Sequence, residues 1–181
     1  AQSEIPAVSL SAWIKTGRSS QGYIISYDRS EFWRLSVGGD SNNGKLFFAT
    51  MDSQAVADQY SQISVNDNTW KHVAVSYDSN SSTKYFYING SIDSTHVVHG
   101  NRPLGSKNLI RYGTIGATNE DTSYNNGGTR GGFFQGEIDD LRLYDRKLFA
   151  SEVTQIYNLP GSDYDGDSYT YAEEISAGTD P

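Results

Sequence analysis

At 181 residues the chain has room for one domain and a short appendage, and a chain of this size buries roughly 70% of the surface its unfolded form exposes. It contains no cysteine, which removes disulfides and thiolate metal sites, and no apolar run nears the roughly 20 residues that cross a bilayer. The formal charge of −8 is concentrated: Asp163, Asp165, Asp167, Glu173, Glu174 and Asp180 lie in residues 163–181 without a Lys or Arg, so the rest carries only −2 and lacks the clustered cations of a nucleic-acid footprint.

In chain order, short runs rich in β-branched and aromatic residues read as strands: "VSLSAWIKT", "GYIISYD", "FWRLSVGG", "KLFFATM", "WKHVAVSYD", "KYFYING", "LIRYGTIGA" and "FFQGEIDDLRLYD". The breaks "GGDSNNG", "VNDNT", "SNSS" and "NEDTSYNNGGTRGG" are rich in Gly, Asn, Asp and Ser. "ING" before "SID" predicts a hairpin, because Asn-Gly tolerates positive φ at both turn positions. Alternation assigns the faces. Trp33, Leu35 and Val37 share one side and leave Arg34 and Ser36 on the other, while Phe86 and Ile88 oppose Tyr85 and Tyr87. Many two-faced strands without alternating helices predict an all-β antiparallel sandwich. A short helix is expected at 149–157, where Phe149, Val153, Ile156 and Tyr157 share a face. "NLPGS" (158–162) then breaks the chain, giving a body over 1–158 and an acidic appendage over 159–181.

The appendage has the order of a calcium loop. In "DYDGDSYTYAEE", Asp163, Asp165 and Asp167 take positions 1, 3 and 5, the Tyr169 carbonyl takes position 7, and Glu174 takes position 12. Hard carboxylate oxygens at that spacing wrap Ca2+, although Ser168 stands where a glycine usually turns the loop. The stretch through "GTDP" resembles the bacterial thrombospondin type 3-like repeat. That resemblance implies a calcium-stiffened linker and a piece of a longer secreted, extracellular protein.

Three stretches of the body, "VSLSAWIKT" (8–16), "NTWKHVAVSYDSNSSTKYFYING" (68–90) and "GFFQGEIDDLRLYDRKLFASEV" (132–153), resemble the laminin G-like jelly-roll family of the concanavalin A-like lectin and glucanase superfamily. The resemblance implies a concanavalin A-like jelly roll over residues 8–157. Family members usually carry some further residues before the "SAWIK" strand, and Phe149 replaces the small residue that usually caps the following helix. Glucanases of this fold place E-x-D-x-E or E-x-D-x-x-E on one strand, so that alternation aims the acids into a cleft. Glu137 and Asp139 fill the first two places, but the third is Leu141 or Arg142. Without a second carboxylate at about 5–5.5 Å, a retaining mechanism has no nucleophile, so no catalytic residue is expected. In the resembling family, the residue matching Asp139 often binds a structural calcium; a hydrogen-bonded aspartate in a tight bend is the other reading.

His72, His96 and His99 lack partners at metal-ligand spacing apart from the weak pair His96/His99, and no phosphate loop or G-x-S-x-G occurs. What remains is aromatic and polar surface. Planar rings suit the C–H faces of sugars, and guanidinium or amide groups suit hydroxyls and acidic groups. Arg34, Tyr85 and Tyr87, with Asn119, Tyr124, Asn125 and Arg130 of the long loop 118–132, are the candidate ligand-binding residues. The expected function is a non-catalytic carbohydrate-binding module of a secreted bacterial polysaccharide-degrading enzyme, taking a polysaccharide, acidic or sulfated or neutral. Its other partners would be neighbouring domains of the same chain, with no nucleic acid and no membrane insertion. The alternative is an adhesion module that binds a protein or a host glycan at a cell surface.

Overall fold

A computed structural model describes residues 4–28, 32–39, 42–105, 112–118 and 130–159, together with Ala177. The elements among the described residues are, in chain order, β1 (Ala7–Lys15), β2 (Gly22–Ser26), β3 (Trp33–Val37), β4 (Lys45–Met51), β5 (Val56–Ser64), β6 (Lys71–Asp78), β7 (Thr83–Ile88), β8 (Ser91–Val97), β9 (Thr114–Ile115), β10 (Glu137–Tyr144) and α1 (Ala150–Tyr157). They form two five-stranded sheets, the first in the order β10-β1-β6-β7-β8 and the second β5-β4-β3-β2-β9. Every pairing within them is antiparallel. The all-β sandwich expected from alternation is the fold, consistent with a jelly roll.

The inward residues of each strand make one core. Leu10 and Ile14 of β1, Val73 and Val75 of β6 and Phe86 of β7 face Ile24, Leu35, Leu46 and Phe48 of the second sheet. Removing this apolar surface from water is the main term that favours the sandwich. The other side of the first sheet is also covered. There Leu148 and Val153, before and within α1, pack on Ala74 and Tyr87. Ser9 fixes the approach to the helix: its Oγ donates to the Arg146 carbonyl (2.7 Å) and accepts the Leu148 N–H (2.9 Å). Phe149 stands at the N-cap without a capping oxygen of its own, and Glu152 reaches back to accept its N–H at 2.8 Å.

The predicted Asn-Gly hairpin joins β7 to β8, with Asn89 at φ 48° and Gly90 at φ 74°. Gly90 is required twice over, because a Cβ there would also lie 2.9 Å from the Tyr157 ring of α1. β5 was not expected, and β8 only as the partner that the Asn-Gly hairpin implies. Both are edge strands of their sheets, where polar residues are tolerated on either face. They lie together at one rim, where the Asp93 carboxylate of β8 accepts the Gln62 N–H (2.6 Å) and Ile63 N–H (3.1 Å) of β5. Of the run "LIRYGTIGA", the described residues 112–117 contribute the strand Thr114–Ile115, beside Ile25 and Ser26 of β2.

Candidate functional site

Alternation on β3 sends Leu35 and Val37 into the core and Arg34 and Ser36 to the outer face of the second sheet. Register then sets their neighbours. One row across the sheet reads Ser26, Arg34, Ala49 and Asp58, and the next reads Tyr23, Ser36, Phe47 and Tyr60. Ser26, Ser36 and Ala49 are fully buried and small, so they make a floor between longer groups. Arg34 stays half-buried, its guanidinium carbon 5.0 Å from the centre of the Tyr23 ring. That contact orients a charge that persists at any ordinary pH and presents its donors in one plane. Phe47 and Tyr60 form an aromatic pair with ring centroids 4.6 Å apart. Polar support lies at the margin, where Ser26 Oγ meets Thr118 Oγ1 at 3.2 Å and the Gln21 amide donates to Ser36 Oγ at 3.4 Å. Tyr23 and Phe47 are buried, so what this face offers a polyol or an acidic sugar is the Arg34 guanidinium, the Asp58 carboxylate and the half-buried Tyr60 ring around a small-residue floor.

Behind this face lies a buried cation. Lys84 of β7 crosses the core and donates to the carbonyls of Phe48 (2.8 Å) and Ala57 (2.7 Å), tying β4 to β5 from inside. Burial pushes its ammonium well below the ordinary lysine value, while the Asp58 charge on the outer face pulls the other way.

The sequence-derived residues do not gather in one place. Arg34 belongs to the face just described, and the exposed Arg130 adjoins Gly131, which pairs with Thr118 at its margin. Tyr85 and Tyr87 lie on the outer face of the other sheet. Tyr87 is only 2% exposed beneath α1, so it is unavailable to a ligand, a burial that alternation cannot reveal. Tyr85 is half-buried and its hydroxyl accepts from Lys147 at 3.0 Å, a contact that lowers its pKa. Asn119, Tyr124 and Asn125 lie outside the described residues, as do Asp163, Asp165, Asp167, Tyr169 and Glu174. Asp139 is half-buried on β10. Its Oδ1 accepts the N–H of Asp140 at 2.6 Å, and Asp140 is left-handed at φ 45°. Among the described residues, no three His, Asp or Glu side chains converge as a metal site.

A buried polar chain escaped the sequence reading. Thr50 Oγ1 lies 2.6 Å from His99 Nε2, and His99 Nδ1 lies 3.0 Å from Asp52 Oδ2. Asp52 also accepts Arg102 Nε (2.6 Å) and the N–H groups of Gln54 and Ala55 (both 2.6 Å). Hydroxyl, imidazole and carboxylate in that order resemble a nucleophilic triad, but Thr50 and Asp52 are fully buried, so no substrate carbonyl reaches the hydroxyl. The chain instead anchors residues 99–102 to the end of β4. Residues 50, 52, 99 and 102 offer no periodic signal, because only the tertiary fold brings them together.

Comparison with known proteins agrees with this architecture. Residues 4–154 match the family described as the concanavalin A-like lectin/glucanases superfamily, Laminin_G_3. The chain belongs to that family. A heptameric SAP-like pentraxin from Limulus polyphemus is 20% identical, with a TM-score of 0.61 over 86% of this chain and 73% of that one. A candidate carbohydrate-binding protein from Bacteroides ovatus is 17% identical, with a TM-score of 0.64 over 86% of this chain and 42% of its own. The binding domain of botulinum neurotoxin DC, in complex with rat synaptotagmin II, is 15% identical, with a TM-score of 0.53 over 85% of this chain and 36% of its own. No curated protein sequence matches the chain. At these identities the solved structures show a shared, lectin-like fold.

Proposed function

We propose that this domain is a non-catalytic carbohydrate-binding module that takes a polysaccharide, acidic or sulfated, on the outer face of its second sheet. The observation that carries the reading is Arg34 oriented on the Tyr23 ring, above a floor of small residues and beside Asp58 and Tyr60. The fold is lectin-like, and the Bacteroides ovatus protein that shares it is described as carbohydrate-binding, which supports the same reading. Catalysis finds no support on β10. Glu137 is exposed and lies 3.6 Å from the Lys15 ammonium, and left-handed Asp140 interrupts the alternation that a row of acids would need.

In this reading the module belongs to a secreted bacterial polysaccharide-degrading protein, and the segment after α1 is a calcium-stiffened linker. Asp163, Asp165, Asp167, the Tyr169 carbonyl and Glu174 would hold the ion, since their oxygens are the hard donors calcium takes. A second reading, an adhesion module for a protein partner, draws on the neurotoxin domain that shares the fold and is bound to synaptotagmin II.

Affinity electrophoresis against acidic and neutral polysaccharides separates the two. Retardation in an acidic gel, relieved by salt and by Arg34→Ala, is the expected result. Unchanged mobility in every gel would remove the carbohydrate reading and leave the adhesion module.

A further inference from the structure

β3 separates two environments. Arg34 faces outward, whereas its neighbour Trp33 faces a cleft of about 310 Å³ that opens between the sheets, where β1 begins and β10 ends. One wall is aliphatic, built from Ile5, Val8 and Leu143. The rest of the lining is aromatic, from Tyr27, Phe32, Trp33 and Tyr144, with the Tyr27 and Trp33 rings packed at 4.8 Å between centroids and inclined by 49°. Asp145 is at the rim. It is exposed and makes no hydrogen bond or ion pair with the described residues. The adjacent cation does not neutralise it, because Arg146 turns to Glu152 at 2.8 Å.

The lining selects a chemistry. Sugar hydroxyls would lose water against a lining that is almost wholly apolar and find partners only at its rim. An anion would meet the Asp145 carboxylate at the rim. A plain hydrocarbon would fill the walls yet leave the rim carboxylate uncompensated. A methylated ammonium group satisfies all three surfaces, with methyl groups on the aliphatic wall, positive charge toward the aromatic rings, and Asp145 as counter-ion. We propose that the cleft is a second binding site, for the methylated ammonium group of a free small molecule. Its volume, at the lower end of the roughly 300–1,000 Å³ typical of small-molecule sites, suits such a ligand rather than a protein segment. The site is independent of the glycan reading, since it lies on the opposite side of β3.

Tetramethylammonium chloride is the probe, titrated into isotopically labelled protein at constant ionic strength and followed by NMR. The three tryptophans provide internal controls: Trp33 lines the cleft, while Trp13 and Trp70 pack with Tyr157 elsewhere. Saturable shifts at Trp33 and Leu143, with Trp13 and Trp70 unmoved, are expected. Asp145→Asn should weaken binding about fivefold, the scale of one exposed charge pair. tert-Butanol, a neutral group of similar shape, should not saturate. Equal binding of tert-butanol would show a merely apolar cavity and overturn the proposal. So would an unchanged affinity in Asp145→Asn, or no saturable shift with tetramethylammonium.

Discussion

His72 shows what a single buried side chain does to stability. Its imidazole packs edge-on against Trp13 (5.4 Å) and beside Tyr157 (5.8 Å), is 1% exposed, and finds no hydrogen-bond partner for either nitrogen. Burial, with a smaller contribution from the Arg142 charge, lowers its pKa from 6.5 to about 4. The folded state therefore holds the neutral ring, and stability is full above pH 6.5 and declines as pH falls toward 4. Between pH 7 and 4.5 this one group should remove about 2–3 kcal/mol, at 1.36 kcal/mol per pH unit. Urea melts of the wild type and His72→Phe at the two pH values check it: the variant should lose less by that amount, and equal losses would refute the assignment. Asp52 acts in a lower range. Burial alone would raise its carboxyl, but the Ala55 and Gln54 N–H groups, with Arg102 and His99, outweigh it and hold the pKa below the ordinary value. Asp52→Asn should cost about 3–5 kcal/mol in a denaturant melt at pH 7, because it leaves Arg102 and His99 without their acceptor.

At the scale of elements, Lys84 connects β7 to the strand pair β4–β5. Lys84→Ala should cost about 3 kcal/mol, by opening a cavity and removing both bonds to carbonyls. Lys84→Met should stay within about 1 kcal/mol of wild type, since it fills the same volume without burying a charge. Thermal melts of the two variants distinguish a clamp that works by polarity from one that works by shape. Alternation read correctly that Trp33, Leu35, Val37, Phe86 and Ile88 face the core, because they are apolar at every second position, but it gave no sign that Lys84 shares the inward side of β7. Alternation gave no signal for β5 or β8, whose edge position permits polar residues on both faces and of which only β8 was implied, by its hairpin; nor did it show that the outward side of Tyr87 is covered by a helix distant in sequence. Arg34 was legible as an outward cation. Its neighbours Tyr23, Asp58 and Tyr60 were not, since cross-strand register between β2, β3, β4 and β5 depends on long-range pairing.

For the whole molecule, the acidic segment and the sandwich are predicted to respond separately. Calcium should bind at residues 163–174 and, by mass action, protect the segment from proteolysis. Asp165→Ala should abolish that protection while leaving glycan binding unchanged, as followed by limited proteolysis with and without chelator. Glycan binding should instead depend on the second sheet and be weak, roughly micromolar to millimolar, because a shallow site orders both partners for few buried atoms. Its salt dependence should be that of exposed charges screened over about 8–10 Å. The most direct measurement is an NMR titration of the labelled domain with an acidic oligosaccharide, repeated on Arg34→Ala. Shifts centred on Arg34, Ser36, Asp58 and Tyr60 are expected, with an affinity that the substitution weakens about tenfold, the scale of a charge-assisted hydrogen bond. Saturable binding that maps to the α1 side of the first sheet, or that survives Arg34→Ala unchanged, would contradict this reading.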